Sequence, residues 1–173
     1  MSTLSIGVRR AEASDANGIT AVHDAAWRYA YEGLIPAQEL NRMIARRGAA
    51  WWERAIRRGT GVLVLDVAGT VAGYATFGPN RARDLPQKGE VYELYLMPEY
   101  QGVGLGTRLF LAARRELARY GCDTAVVWAL ADNEPACRFY RNAGGRRVAR
   151  STERFGRSIL TKLAFAWPRA SSA

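Results

Sequence analysis

A chain of 173 residues, apolar near half and charged near a quarter, has room for one domain with a substantial core and too little for two. Its formal charge of +9 is almost wholly arginine, Lys88 and Lys162 being the only lysines, and pairs such as Arg46-Arg47 and Arg146-Arg147 are scattered rather than massed, which disfavours nucleic acid as a partner. No apolar run reaches membrane-spanning length, the N-terminus lacks the apolar segment of a secretion signal, and two cysteines, Cys122 and Cys137, argue for reduced thiols, so the expected setting is cytoplasmic with no membrane partner.

Ile6 to Arg10 reads as a first strand. Ser14 or Asp15 then stands where a helix cap belongs, before an apolar face of Ile19, Val22 and Ala26 at helical spacing. Gly33 and Pro36 break that helix, and a second helical region covers about Ala37 to Arg58, with an interruption placed at Gly48. Val62–Val67 and Val71–Phe77 flank Ala68-Gly69-Thr70 as a hairpin, and a polar loop occupies 78–89. Val91 to Met97 is a strand-like run that Pro98 must end, because proline cannot donate to a ladder.

After Gln101-Gly102-Val103-Gly104-Leu105-Gly106 a helical pattern runs from Thr107 to about Tyr120. The apolar run Thr124–Leu130 suits a buried strand. Asn133 and Pro135 open a helix over Glu134–Asn142, which stops at Gly144-Gly145. Two last strands, about 146–150 and 159–166, precede a tail from Trp167 that is expected to fray. Strands and helices thus mix, with a mostly antiparallel first half, which predicts an α+β (mixed α/β) fold in one domain spanning 1–173, its core at about 5–166.

A strand, a glycine turn and a helix start together make a place for phosphate, since glycine admits close backbone approach and the first helical amides point outward at the positive dipole end. Walker A spacing is absent from Gln101–Arg108, and Gly102, Gly104 and Gly106 do not follow the first strand of a dinucleotide-binding unit. Gln101-x-x-Gly104-x-Gly106 and, some thirty residues on, Asn133-Glu-Pro-Ala136-Cys-Arg-Phe139-Tyr140 instead resemble two signatures of the GNAT superfamily of acetyl-CoA-dependent N-acetyltransferases. The stretch from Ala26 to Pro36 also resembles a segment common in one branch of that superfamily.

The resemblance implies a central mixed sheet, mostly antiparallel, splayed between the fourth and fifth strands, with helices on both faces and acetyl-CoA (coenzyme A) as co-substrate. It implies that Gln101, Gly102, Val103, Gly104, Leu105, Gly106 and Thr107 bind the pyrophosphate, and that the edge at Tyr95, Leu96 and Met97 pairs with the pantetheine arm. An N–H near Leu96 would polarise the acetyl carbonyl. Asn133 is a cofactor contact or a helix cap. Glu93 is the first choice for the base, directly or through water, with Glu90 as its rival, and Tyr140 is the acid for the leaving thiolate.

Simple alternation puts Glu93, Tyr95 and Met97 on one face and Tyr92, Leu94 and Leu96 on the other, leaving open which meets the acceptor. Trp27 and Tyr31 are assigned to substrate binding, while Trp51 and Trp52 are read as core. The lone histidine, His23, has no motif that would make it a Cys–His catalyst, and no metal site is expected. The expected acceptor is a small-molecule or protein amine. A non-catalytic acetyl-CoA-binding module is the alternative, and a homodimer is the default assembly.

Overall fold

The computed structural model describes residues 3–169. In chain order it contains β1 (Ile6–Arg10), α1 (Ala16–Tyr31), α2 (Ala37–Ala45), α3 (Ala49–Arg57), β2 (Gly61–Val67), β3 (Thr70–Pro79), β4 (Gly89–Leu96), α4 (Leu105–Arg119), β5 (Ala125–Leu130), α5 (Glu134–Asn142), β6 (Arg146–Phe155) and β7 (Ser158–Trp167). The strands form one seven-stranded sheet in the order β1-β2-β3-β4-β5-β7-β6. Every neighbouring pair is antiparallel except β4 and β5, as the expected mixed sheet requires.

The uninterrupted apolar run Val62–Leu65 is explained by helices on both faces of the sheet. Val62 and Val64 pack with Ile19, Val22, Ala26 and Trp52 from α1 and α3. Leu63 and Leu65 pack with Leu109, Phe110, Ala113 and Leu117 from α4. Fully buried side chains such as Leu65 and Leu109 each stabilise the fold by about 1.5–3 kcal/mol. No helix among the described residues is long and apolar enough to cross a membrane.

The second helical region is parted at residues 46–48, where Gly48 is extended and precedes α3, so the interruption expected at Gly48 is present. Other expectations are corrected. Asp15 does not cap α1 with its side chain; its carboxylate accepts the Glu12 N–H at 2.7 Å and pairs with Arg9 at 2.8 Å. The last two strands are longer than read and meet at Phe155↔Ser158, with only Gly156 and Arg157 between them. Trp167 is no frayed residue: it lies in β7, 3% exposed, and its indole N–H donates to the Ala143 carbonyl at 3.0 Å. Residues 170–173 of the expected tail lie outside the described residues.

Two irregularities shape the centre of the sheet. The parallel β4–β5 pairing consists of Gly89↔Ala125 and Glu90↔Val126, beyond which the strands part. In β4 the register jumps from Thr76↔Glu93 to Phe77↔Val91, which leaves Tyr92 as the extra residue of a bulge. The simple alternation fails there, since Tyr92 faces the same hollow as Glu93, while Val91, Leu94 and Leu96 pack toward α4.

Candidate active site

Where β4 and β5 separate, β4 has a free edge. The Met97 N–H donates to the Ala72 carbonyl at 2.8 Å, so alternation turns the N–H and C=O of Leu96 and Leu94 away from β3 and into the gap. Beyond Pro98 the chain reaches α4 through Gly102 and Gly104, with φ of 81° and 84°. A Cβ at either would meet nothing within 4 Å, so what requires glycine there is the left-handed backbone and not crowding. The N–H groups of residues 102–107 donate to no acceptor among the described residues, so the turn and first turn of α4 present a row of open donors.

A cleft of about 400 Å³ runs from this turn to the gap. Tyr95, Leu96, Gln101, Gly102, Gly104, Gly106, Thr107, Asn133 and Tyr140 all line it, which brings these predicted residues together. Met97, Val103 and Leu105 do not. The Met97 amide is committed to β3 and its side chain packs toward α1 and α3, Val103 points to solvent at 71% exposure, and Leu105 is buried beneath α4. Asn133 caps α5, accepting the Ala136 N–H at 3.4 Å. The cleft also takes Ala26, Tyr29 and Ala30 from α1 and Leu34 from the loop that follows it, which sequence reasoning did not assign.

Tyr140 is held in the core by Phe110, Phe139, Phe165 and Trp167. Burial, aided by Tyr31 and Cys137, raises its phenol well above the ordinary value, so the hydroxyl stays protonated at neutral pH. That hydroxyl has no hydrogen-bond partner among the described residues and borders the cleft.

A second hollow of about 230 Å³ lies on the α1 side of β4 and contains the other predicted residues, Glu93, Trp27 and Tyr31. Tyr95 lines both hollows. Its hydroxyl is 2.6 Å from that of Tyr31, and burial, with smaller contributions from Glu93 and Glu153, pushes the Tyr31 phenol up to about 12. Glu93 accepts from the Arg47 guanidinium, from the Tyr74 hydroxyl at 2.9 Å and from Thr76 at 3.4 Å. Arg47, in the α2–α3 connection, lies over the rings of Trp51 (4.7 Å), Trp27 (5.8 Å) and Trp52 (5.9 Å).

Sequence reasoning missed Arg47; the only signal was a basic pair beside the Gly48 break. Glu90, the rival base, borders neither hollow: 2% exposed, it accepts the Arg81 N–H at 3.0 Å and the Arg81 guanidinium at 2.9 Å. A larger depression of about 560 Å³, between the α1–α2 loop and Ser158, contains none of the predicted residues. Its Arg28 is committed to Asp24 at 2.6 Å and to Asn41 at 2.9 Å.

A mixed sheet opened beside a glycine-led helix start, with a cofactor-sized cleft meeting a smaller hollow at one tyrosine, defines an acyltransferase of the N-acyltransferase fold. The profile of the acetyltransferase (GNAT) family matches residues 19–144, and the chain belongs to that family. It is 30% identical over 167 residues to the uncharacterized N-acetyltransferase YuaI of Bacillus subtilis, covering 96% of this chain and 95% of that protein. It is also 32% identical over 111 residues to the L-methionine sulfoximine/L-methionine sulfone acetyltransferase of Salmonella typhimurium, covering 62% of this chain and 65% of that one. In fold it is similar to the PaiA N-acetyltransferase of Thermoplasma acidophilum, solved in complex with coenzyme A, with TM-score 0.73, 20% identity, and coverage of 91% of this chain and 98% of that one.

Proposed function

We propose that this enzyme transfers the acetyl group of acetyl-CoA to the primary amine of a small acceptor, by direct attack within one complex. The observation that carries the proposal is that Tyr95 alone borders both hollows, so a thioester reaching along β4 and an amine entering past Trp27 and Tyr31 would meet at one residue. The open amides of residues 102–107 suit a pyrophosphate, and the free edge at Leu94 and Leu96 suits a pantetheine arm. Bound acetyl-CoA supplies the activated acetyl thioester.

The residues then divide the remaining work. The Leu96 N–H donates to the acetyl oxygen as negative charge develops on it. Glu93 keeps a lone pair on Oε2 beyond its bond from Tyr74, and there it accepts the acceptor's proton, directly or through one water. Tyr140 gives its phenolic proton to the departing sulfur. The new C–N bond forms as the C–S bond breaks, and one proton leaves the nitrogen while one reaches the thiolate.

Thiol release from acetyl-CoA over a panel of amines tests this. Tyr140→Phe keeps the ring in its core site and is expected to lower kcat about 100-fold with little change in the KM for acetyl-CoA; Glu93→Gln is expected to lower kcat by a similar factor. Calorimetric titration showing no acetyl-CoA binding by the folded protein would overturn the proposal. Binding with no transfer to any amine would make it a holding module.

A further inference from the structure

The small hollow is lined by charges of both signs. Glu93, which is held by Arg47, and Glu153 both act on the Tyr31 hydroxyl. Three cations, Arg47, Arg81 and Lys162, also line it. Lys162 comes from β7, its Nζ 4.8 Å from the ring centre of Trp128, and it makes no ion pair among the described residues. Arg47 commits one nitrogen, Nη1, to Glu93, while its Nε and Nη2 have no hydrogen-bond partner among the described residues. Arg81 differs, since its Nε and Nη2 are both taken by Glu90. Lys162 and Arg47, and Arg81 through Nη1 alone, therefore have donors to spare in a hollow whose one carboxylate without an ion pair, among the described residues, is Glu153.

We infer that the acceptor is a free amino acid, its carboxylate held by Lys162 and Arg47 and its amino nitrogen directed to the Tyr31–Tyr95 end of the hollow. The inference rests on the acetyl-transfer reading above and names its substrate class. The remaining wall, Ile35, Met43, Leu130 and Phe155, suits an apolar side chain. At about 230 Å³ the hollow is smaller than the roughly 300–1,000 Å³ of sites for drug-sized ligands, so a single small molecule fills it. A polyamine would set a second positive charge against Lys162 and Arg47. A protein N-terminus has an amide where the carboxylate belongs.

The test compares leucine, leucine methyl ester and 3-methylbutylamine as acceptors, by thiol release from acetyl-CoA with the intact protein. The ester's amine is less basic than leucine's and the alkylamine's is more basic, so basicity alone cannot rank leucine first. A charge-assisted hydrogen bond is worth about 10- to 150-fold, and leucine is expected to exceed both analogues in kcat/KM by a factor in that range. Lys162→Met is expected to collapse the leucine-to-ester ratio toward one, and Lys162→Arg to keep most of it.

Acetylation of the ester or alkylamine as fast as leucine overturns the inference and leaves the acetyl-transfer reading standing. An unchanged ratio in a folded Lys162→Met variant overturns the assignment of Lys162. If that variant does not fold, the three acceptors with the unaltered protein still decide. No thiol release with any amine overturns the acetyl-transfer reading itself.

Discussion

His23 is enclosed by rings, with Trp27 at 4.4 Å, Trp52 at 6.0 Å and Tyr74 at 6.4 Å between centroids, and neither of its ring nitrogens has a hydrogen-bond partner among the described residues. Burial first, then the nearby Arg47 charge, lowers its pKa from 6.5 to about 4. The folded protein therefore keeps a neutral imidazole where the unfolded chain takes up a proton. The stability this contributes is complete above about pH 6.5 and is lost as pH falls toward 4, by about 3 kcal/mol in all. His23→Phe preserves the ring and removes the titration. Its melting temperature is expected to fall less than that of the unaltered protein between pH 6.5 and pH 4, and parallel curves would clear His23 of the acid sensitivity. The same neighbourhood shows where a single sequence stops being informative. His23 could be noticed only as the lone histidine, and Glu93 only as a carboxylate in an apolar strand. The guanidinium that holds Glu93 is 46 positions away, and the bridge forms because the α2–α3 connection folds back over β4.

At the scale of elements, what could be read was local. Pro98 ends β4, the glycines lead into α4, and Asn133 with Pro135 starts α5, because each signal acts within a few residues of itself. The bulge at Tyr92 could not be read, since register is set by the partner strand, and it alone moves Tyr92 into the hollow beside Glu93. The glycine turn supports a discriminating experiment. Gly104 and Gly121 both have positive φ, 84° and 81°, and at both a Cβ would enter open space. Alanine at either is expected to lose about 1–2 kcal/mol of stability through left-handed strain. Only Gly104→Ala should also weaken acetyl-CoA binding, by about 10-fold, because relieving strain there re-aims the amides that lead into α4. Equal affinity in the two variants would remove the turn from the binding site.

Across the whole molecule the sheet is held at its opening by two parallel residue pairs, and beyond them β4 and β5 each have an edge facing the gap. A ligand seated along that gap adds contacts to both halves, so acetyl-CoA should stabilise the fold as a unit. At a hundredfold excess over Kd the linkage is about 2.7 kcal/mol, which for a chain of this size corresponds to a rise of roughly 5–10 °C in Tm. The net charge of +9 adds a long-range term, because the phosphates of coenzyme A enter a positive field whose exposed part salt screens over about 10 Å at 0.1 M. Acetyl-pantetheine keeps the arm and the thioester but lacks the pyrophosphate. It is therefore expected to bind more weakly and to need a higher concentration for the same rise. Scanning calorimetry with both ligands at low and high salt separates the contributions: the acetyl-CoA shift should shrink as salt increases, while the acetyl-pantetheine shift should hold. Equal affinities for the two ligands would mean that the open amides at the start of α4 do not hold phosphate, and would leave the β4 edge as the sole anchor.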